Sequence, residues 1–244
     1  MSRFGYDLHI HSCLSPCADN DNTPFNLAGM GRLSGLDVMA LTDHNTCRNC
    51  PAFFAAAQQQ GVIPVPGMEL TTAEDIHVIC LFASLEAAMR FDGEVAARRV
   101  RIPNRPEIFG DQRLWSAADE PDGEESDLLP NATALSLEEA AALVARCGGV
   151  CYPAHIDRQA NGIIAVLGTL PPTPAFACVE FRDAAQVADY RRRYPIGERR
   201  VVVCSDAHYL WDIPDRPPTV ELSAPPDDDA AVRAALLRYL GGDV

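Results

Sequence analysis

The chain has 244 residues and a formal net charge of −14, because 34 Asp and Glu residues outnumber 20 basic residues, all of them Arg. Without lysine, the chain cannot carry a P-loop lysine, a Schiff base or a kinase-type phosphate-binding lysine. The excess of acids predicts that neither long nucleic acid nor a membrane surface is a partner, because binding to both depends on clustered positive charge.

Short apolar runs alternate with helical patterns along the chain. The runs that predict strands cover residues 6–10, 36–41, 62–65, 68–70, 76–82, 150–153, 177–181 and 200–204. The helical patterns cover residues 24–35, 51–60, 85–99, 137–148, 183–193 and 227–240. Helix-start signals occur at Thr23-Pro24 and at the capping box Ser136-x-x-Glu139. This alternation predicts an α/β fold with a mainly parallel sheet, and about seven units favour a barrel over an open sheet.

Residues 100–135 interrupt this alternation. They are rich in Pro, Asp, Glu and Gly and show little periodicity. A loop of that length is uncommon unless it is functional. We interpret the segment as an irregular surface insertion in a single domain spanning residues 1–244, which ends with a helix in residues 225–244.

The positions of the six histidines are the most informative feature of the sequence. Five of them lie at the C-terminal end of a predicted strand or in the turn after it, where barrels place their active sites. These five are His9, His11, His44, His155 and His208. Because side chains alternate along a strand, His9 and His11 point to one side, where they could chelate a divalent metal. Asp206-Ala207-His208 repeats this spacing with a carboxylate.

His77 begins its strand and needs a separate explanation. If residues 68–71 and 75–79 form a hairpin turning at Ala73, residues whose numbers sum to 146 face each other. Glu69 and His77 would then be cross-strand neighbours with Cβ atoms about 5 Å apart. A carboxylate and an imidazole at that distance could share one metal, and a hydrogen-bonded pair in the core is the alternative.

Six segments together resemble the PHP (polymerase and histidinol phosphatase) family of metal-dependent phosphoesterases. They run in family order: residues 7–12 (DLHIHS), 41–44 (LTDH), 67–70 (GMEL), 76–78 (IHV), 153–155 (PAH) and 205–208 (SDAH). The resemblance implies a distorted (β/α)7 TIM-like barrel with two or three divalent metal ions, zinc, iron or manganese, at its C-terminal mouth.

The resemblance also implies roles for individual residues. The first metal would be held by His9, His11, Glu69 and Asp206. The second metal, bridged to the first by Glu69, would be held by His77 and His155. The third metal would be held by His44 and His208. The candidate catalytic residues are Asp206, His208 and Asp43, the last of which would orient an imidazole.

The third metal needs another ligand from the loop after His11, and here the sequence departs from the family. The family offers Asp or His, whereas this loop offers Cys17 or Asp19. A thiolate at Cys17 would favour zinc or iron over manganese. A site without a third metal is the remaining alternative.

Four cysteines allow a competing interpretation. Cys13-x3-Cys17 and Cys47-x2-Cys50 follow the first two predicted strands and could hold a structural zinc or an iron–sulfur cluster. The chain would then be a non-catalytic metal-binding module. No apolar signal segment is visible, so we expect a cytoplasmic protein in which the nine cysteines are reduced.

Two arginines complete the predicted site. Arg158 follows His155, and Arg182 follows the strand 177–181, so both could grip a phosphate at the barrel mouth. A surface salt bridge is the alternative for each. We therefore predict a phosphomonoesterase in which a metal-activated water hydrolyses a small phosphorylated substrate. A nucleotide or oligonucleotide phosphoesterase with exonuclease-like activity is the second possibility, and amidohydrolase chemistry with Glu69 as the bridging carboxylate is a third.

Overall fold

The computed structural model of the chain describes residues 1–242. The strands are β1 (Ser2–Asp7), β2 (Val38–Leu41), β3 (Ile63–Thr71), β4 (His77–Leu81), β5 (Arg113–Trp115), β6 (Pro121–Glu124), β7 (Val150–Pro153), β8 (Cys178–Phe181), β9 (Arg200–Val203) and β10 (Thr219–Leu222). The α-helices are α1 (Pro24–Leu33), α2 (Cys50–Gln60), α3 (Leu85–Ala96), α4 (Pro106–Phe109), α5 (Leu137–Arg146), α6 (Ile163–Leu167), α7 (Val187–Arg193) and α8 (Asp229–Gly241). Short 3₁₀ helices lie at Ala184–Gln186 and Leu210–Asp212. None of the helices within residues 1–242 combines the length and apolar character needed to cross a bilayer.

Seven of these strands, β1 to β4 and β7 to β9, form a distorted barrel, and β10 pairs with β1 as an edge strand. One sheet has the order β10-β1-β2-β3-β4-β7, in which β1, β2 and β3 are parallel and β4 is antiparallel to both of its neighbours. The strands β8 and β9 form a parallel pair. Backbone hydrogen bonds close the ring, since His11 N donates to Ala207 O at 3.0 Å and Ile156 N donates to Glu180 O at 2.9 Å. The predicted α/β fold with a distorted TIM-like barrel is therefore confirmed.

Two apolar layers follow from the alternation of side chains along the strands. In β2, Val38 and Ala40 belong to the core cluster inside the barrel, whereas Met39 and Leu41 belong to the cluster beneath the helices. Val232 of α8 packs in the inner cluster. The helix α8 therefore closes the end of the barrel where the strands begin, and the histidines lie at the other end.

The hairpin of β3 and β4 has a different register from the one predicted. Thr71 pairs with His77, so paired residue numbers sum to 148, and Glu69 faces Ile79. The predicted turn at Ala73 was wrong because the turn is centred one residue later, with Asp75 at a φ of 63° and Thr72 N donating to Ile76 O at 2.9 Å. A shift of two residues preserves the face of every side chain. Glu69 and His77 therefore still point to the same side of the sheet.

The insertion at residues 100–135 contains elements that its composition did not indicate, namely α4, β5 and β6. It lies against the loops that follow β1 and β2. Arg113 N donates to Cys13 O at 2.8 Å, Asn49 Nδ2 donates to Arg113 O at 3.1 Å, and Asn45 Nδ2 donates to Leu129 O at 2.7 Å. Pro130 from this segment reaches the cavity at the barrel mouth. The insertion therefore forms part of the wall around the histidines.

Candidate metal centre

Glu69 lies at the centre of the histidine cluster and is almost completely buried. Its Oε1 atom is 2.7 Å from His77 Nδ1, 3.1 Å from His155 Nε2 and 3.2 Å from His9 Nε2. Its Oε2 atom is 3.0 Å from His44 Nδ1 and 3.3 Å from His11 Nε2. One carboxylate from β3 thus reaches five imidazoles from four other parts of the barrel. This is possible for His77 because β4 runs antiparallel and begins at the mouth.

Three overlapping groups of side chains have donor atoms close enough to hold a metal ion. The first group consists of His9, His11, Glu69 and Asp206, the four residues predicted for the first metal. The second consists of His44, Glu69 and His77, with His155 adjoining through Glu69. The third consists of His11, His44 and His208. The structure therefore brings all the predicted histidines and carboxylates together, and it adds His11 to the third group and His44 to the second.

The donor atoms in this cluster suit a cation. Within residues 1–242, the buried atoms Glu69 Oε2, His44 Nδ1 and His77 Nδ1 make no hydrogen bond, although each lies beside another ligand-type atom. Burial would raise the pKa of Glu69, but the imidazoles around it, His77 first, hold that pKa well below its usual value. Burial would lower the pKa of His9, but its carboxylate neighbours, Glu180 first, raise that pKa well above the usual value. Carboxylates that keep a proton on a neighbouring imidazole would hold a metal ion in place of that proton.

Asp206 connects this cluster to two arginines. Its Oδ1 atom lies 3.3 Å from both His9 Nε2 and His11 Nε2. Its Oδ2 atom forms an ion pair with Arg158 Nη1 and lies 3.4 Å from Arg182 Nη1. The Asp206 backbone adopts the left-handed region with a φ of 49°, a conformation that costs on the order of 1–3 kcal/mol in a residue other than glycine. Such strain is typical of functional sites, and here it directs a carboxylate at both the imidazoles and the arginines.

The barrel mouth forms a cavity of about 480 Å³. His44, Glu69, His77, His155, Asp206 and His208 line its base. Arg158 and Arg182 line it as well, and their side chains are 42% and 41% exposed. The two predicted arginines therefore do reach the mouth. Their ion pairs with Asp206 place them beside the cluster and not on a remote surface.

The comparisons with known proteins agree with this geometry. A profile of the PHP domain matches residues 7–129, which are 123 of the 244 residues and just over half of the chain. The chain belongs to the PHP domain family. The predicted family is therefore confirmed, and the predicted class of enzyme, a hydrolase, agrees with this membership.

Two relatives of this PHP chain are longer than it is. An error-prone DNA polymerase of Symbiobacterium thermophilum is 35% identical over 74 residues, which make up 30% of this chain and 7% of the polymerase. The lesion-specific endonuclease PfuEndoQ of Pyrococcus furiosus has the same fold with a TM-score of 0.65 and 18% identity. That match covers 99% of this chain and 57% of the endonuclease. The PHP chain thus spans less than two thirds of the length of either relative.

A second endonuclease Q structure corrects the expected partner. The endonuclease Q of that structure is in complex with a 27-mer duplex that has an abasic lesion at the active site. The match covers 99% of this chain and 58% of the endonuclease chain, with a TM-score of 0.62 and 18% identity. The prediction that long nucleic acid is excluded as a partner was wrong. Net charge averages over the whole chain. Here Asp228 and Asp229 lie at the start of α8, at the far end of the barrel, whereas Arg158 and Arg182 lie at its mouth.

The loop after His11 brings Cys17, and not Asp19, to this PHP site. Cys17 Sγ lies 3.2 Å from His44 Nε2, whereas Asp19 Oδ1 accepts a hydrogen bond from Asp21 N at 2.8 Å within its own loop. Burial would raise the pKa of the Cys17 thiol, but His44 and its neighbours lower it to about 5. The thiol is therefore a thiolate at neutral pH, which is the form that binds metal.

The four cysteines predicted as an alternative site have separate surroundings. Cys47 Sγ donates to Gly67 O at 3.2 Å, and Cys50 Sγ lies 3.6 Å from the same oxygen. Cys13 Sγ lies 3.8 Å from Arg113 O. None of the four cysteines belongs to a potential metal-binding group among residues 1–242, and only Cys17 lies beside a histidine of the cluster, His44. The structure therefore does not bring the four cysteines together, because Cys47 and Cys50 turn inward at the start of α2 while Cys17 faces the histidines.

Three residues support the metal ligands. The sequence analysis did not identify Glu180 and Ser15, and it expected Asp43 to orient an imidazole. Glu180 Oε1 lies 2.7 Å from His9 Nδ1 and accepts a hydrogen bond from His155 N at 3.0 Å. Ser15 Oγ donates to Asp43 Oδ1 at 2.7 Å and lies 3.0 Å from His11 Nδ1. Asp43 thus acts on an imidazole through Ser15 and not by direct contact. The only sequence signal for Glu180 is that it is the one acid within the apolar run of residues 177–181.

Proposed function

We propose that this protein hydrolyses phosphate esters of nucleic acid at the barrel mouth, with two or three divalent metal ions as cofactors. The observation that carries the proposal is the position of Glu69, whose two oxygens lie within 3.3 Å of nitrogens of five histidines. Two arginines border the same cavity. Carboxylate and imidazole ligands around a central bridging carboxylate are typical of hydrolytic multi-metal sites.

The ligand assignment combines the three groups of donor atoms with the ligands that the family resemblance implies and with the position of Cys17 beside His44. The first ion would be held by His9, His11, Glu69 and Asp206. The second would be held by Glu69, His77 and His155, with His44 close by. The third would be held by His44, His208 and Cys17. The soft thiolate of Cys17 favours zinc or iron over manganese at that position. When bound, such ions lower the pKa of water and stabilise the negative charge that develops on a phosphate.

The remaining groups of the site bind and orient. Arg158 and Arg182 each offer a guanidinium group to the phosphate oxygens in the cavity. The two positive charges would neutralise the phosphate charge that the metal ions leave uncompensated. His208 Nδ1 donates to Asp206 O at 2.8 Å. This contact fixes the imidazole with Nε2 available to bind an ion or hold a proton. Asp43 and Glu180 hold His11 and His9 in the orientation that the first ion requires.

A phosphomonoester of a small molecule is the second candidate substrate. The cavity of about 480 Å³ falls within the range of about 300–1,000 Å³ that is usual for small ligands. Its arginines would serve a terminal phosphate as well as an internal one. The two candidates differ in what lies beyond the phosphate, so a comparison of substrates separates them.

The test measures phosphate-ester hydrolysis by the full chain loaded with zinc, iron or manganese. The substrates are single-stranded and duplex oligonucleotides, the latter with and without an abasic site, and glycerol phosphate. We expect cleavage of an oligonucleotide, and loss of both bound metal and activity in the double variant His9→Ala/His11→Ala. The exposed substitution Arg192→Ala is the matched surface control. Activity that survives in the metal-depleted double variant would disprove the mechanism, and hydrolysis of glycerol phosphate alone would favour the second candidate.

A further inference from the structure

Two exposed aromatic side chains stack beside the metal centre. Tyr209 directly follows His208 and lines the cavity at the mouth. Its ring lies 4.8 Å from that of Trp211, with an angle of 16° between the ring planes. Trp211 is 74% exposed and Tyr209 is 39% exposed. Neither ring contributes to a core cluster of the described residues, so packing within the fold does not explain the pair.

The backbone that carries this pair is fixed to the metal centre. Asp212 Oδ2 accepts hydrogen bonds from His208 N at 3.2 Å and from Tyr209 N at 3.1 Å. The short 3₁₀ helix Leu210–Asp212 then places Trp211 over Tyr209. The aromatic pair therefore has a defined distance from His208. Rigid aromatic rings lose little conformational entropy when a ligand covers them.

We propose that Tyr209 and Trp211 form a stacking platform for an unpaired nucleobase whose phosphate lies at Arg158 and Arg182. This inference rests on the proposed function and specifies its substrate. Aromatic faces beside a cationic groove are how proteins hold single-stranded nucleic acid, because every base has a π-face and every nucleotide has a phosphate. Tyr209 and both arginines line the same cavity, so one nucleotide can contact all three.

The platform selects an unpaired nucleotide over one inside a duplex. A base in a duplex has both faces covered by its neighbours and cannot stack on a protein ring without leaving the helix. The substrate class is therefore a single-stranded segment or a nucleotide turned out of a duplex. A phosphorylated molecule without a flat ring would use the arginines and the metal ions but gain nothing from Tyr209 and Trp211.

The experiment compares two substrates that differ only in base planarity. The metal-loaded full chain is assayed with a short oligothymidylate and with its 5,6-dihydrothymine counterpart, whose saturated rings stack poorly. Base stacking on an aromatic side chain corresponds to about a 5- to 150-fold difference in binding. We expect a preference of that order in kcat/KM for the planar substrate. Tyr209→Ala and Trp211→Ala should each reduce this preference towards one, while Tyr209→Phe and Trp211→Phe retain it.

The control is Trp115→Phe, which alters the other tryptophan of the chain and should leave the preference unchanged. A wild-type preference near one, or a preference that persists in both alanine variants, would overturn the proposal. If the wild-type protein cleaves neither oligonucleotide, the proposed function fails, and fluorescence of Trp211 in the Trp115→Phe protein then decides. Stronger quenching by oligothymidylate than by the dihydro form would uphold the platform, and equal quenching would reject it.

Discussion

Glu180 on β8 holds two metal-site residues from different strands with a single oxygen. Its Oε1 atom lies 2.7 Å from His9 Nδ1 and accepts the backbone N–H of His155 at 3.0 Å. Glu180 and His9 are fully buried. The carboxylate thus fixes the His9 ring with Nε2 directed at Glu69, and it secures the backbone of His155 in its unusual left-handed conformation, at a φ of 27°.

Replacing Glu180 by glutamine should weaken the metal site without changing a ligand. The amide is neutral and a poorer acceptor, so it would orient His9 less well and lower the basicity of that imidazole. Supporting partners of this kind typically contribute 10- to 100-fold to metal affinity. We expect a loss of that order, measured by chelator competition, with Glu221→Gln on the exposed side of β10 as the control. An unchanged affinity would mean that His9 is held by its other contacts.

Asp43 and Ser15 should act as one unit on His11. Ser15 Oγ donates to Asp43 Oδ1 and lies beside His11 Nδ1. Because the carboxylate reaches the imidazole through the hydroxyl, Ser15→Ala and Asp43→Asn should each lower metal affinity, and the double variant should lose less than the sum of the two free energies. Chelator competition on all four proteins measures the coupling. Additive losses would show that the two side chains support the site independently.

These two supports mark the limit of what the sequence could predict. His9 and His11 were recognisable because side chains alternate along a strand and because catalytic residues collect where parallel strands end. Glu180 was not, since its role depends on ring closure, which brings β8 and β9 round to β1 from the far end of the chain. The predicted register of β3 and β4 was wrong because the position of a turn has to be known to within one residue. An even shift left Glu69 and His77 on the same face, so the prediction of a shared site survived the error.

The Cys17 thiol should be reactive at unusually low pH in metal-free protein. Burial would raise its pKa, but the neighbouring His44 lowers the pKa to about 5 from an ordinary value near 9. The thiolate is the reactive form. Its alkylation by iodoacetamide should therefore reach its full rate above about pH 6 and fall tenfold per unit below pH 5. Mass spectrometry of the modified peptide measures the profile.

Cys151 is the internal comparison for this profile, because desolvation raises the pKa of its partly buried thiol to about 12. It should remain unmodified across the same range of pH. Bound zinc should protect Cys17, since the metal would occupy the thiolate. A midpoint near pH 9 for Cys17 would show that the imidazoles do not stabilise its charge.

The choice between Cys17 and Asp19 should appear in metal preference. Cys17→Asp replaces a soft ligand with a hard one, so the protein should bind zinc less strongly relative to manganese. Asp19→Asn should leave this ratio unchanged, because the Asp19 carboxylate is engaged by Asp21 N in its own loop. Competition between the two ions, followed by metal analysis, measures the ratio. A change in the Asp19 variant and none in the Cys17 variant would reverse the assignment.

Arg158 and Arg182 should contribute unequally to phosphate binding. Both reach Asp206 Oδ2, but Arg158 makes the closer ion pair and Arg182 lies 3.4 Å away. Removing Arg158 therefore deprives the phosphate of a cation and also leaves the buried Asp206 with one fewer partner. A hydrogen bond between charged groups contributes about 1.5–3 kcal/mol, which corresponds to roughly 10- to 150-fold in kcat/KM. We expect Arg158→Ala to lie at the upper end of that range and Arg182→Ala at the lower end, with unchanged activity in Arg192→Ala.

The variant Arg158→Lys should recover only part of the loss, because an ammonium group cannot form a two-pronged contact with phosphate. Equal effects of both alanine variants would show that the phosphate, and not Asp206, determines how each arginine is used.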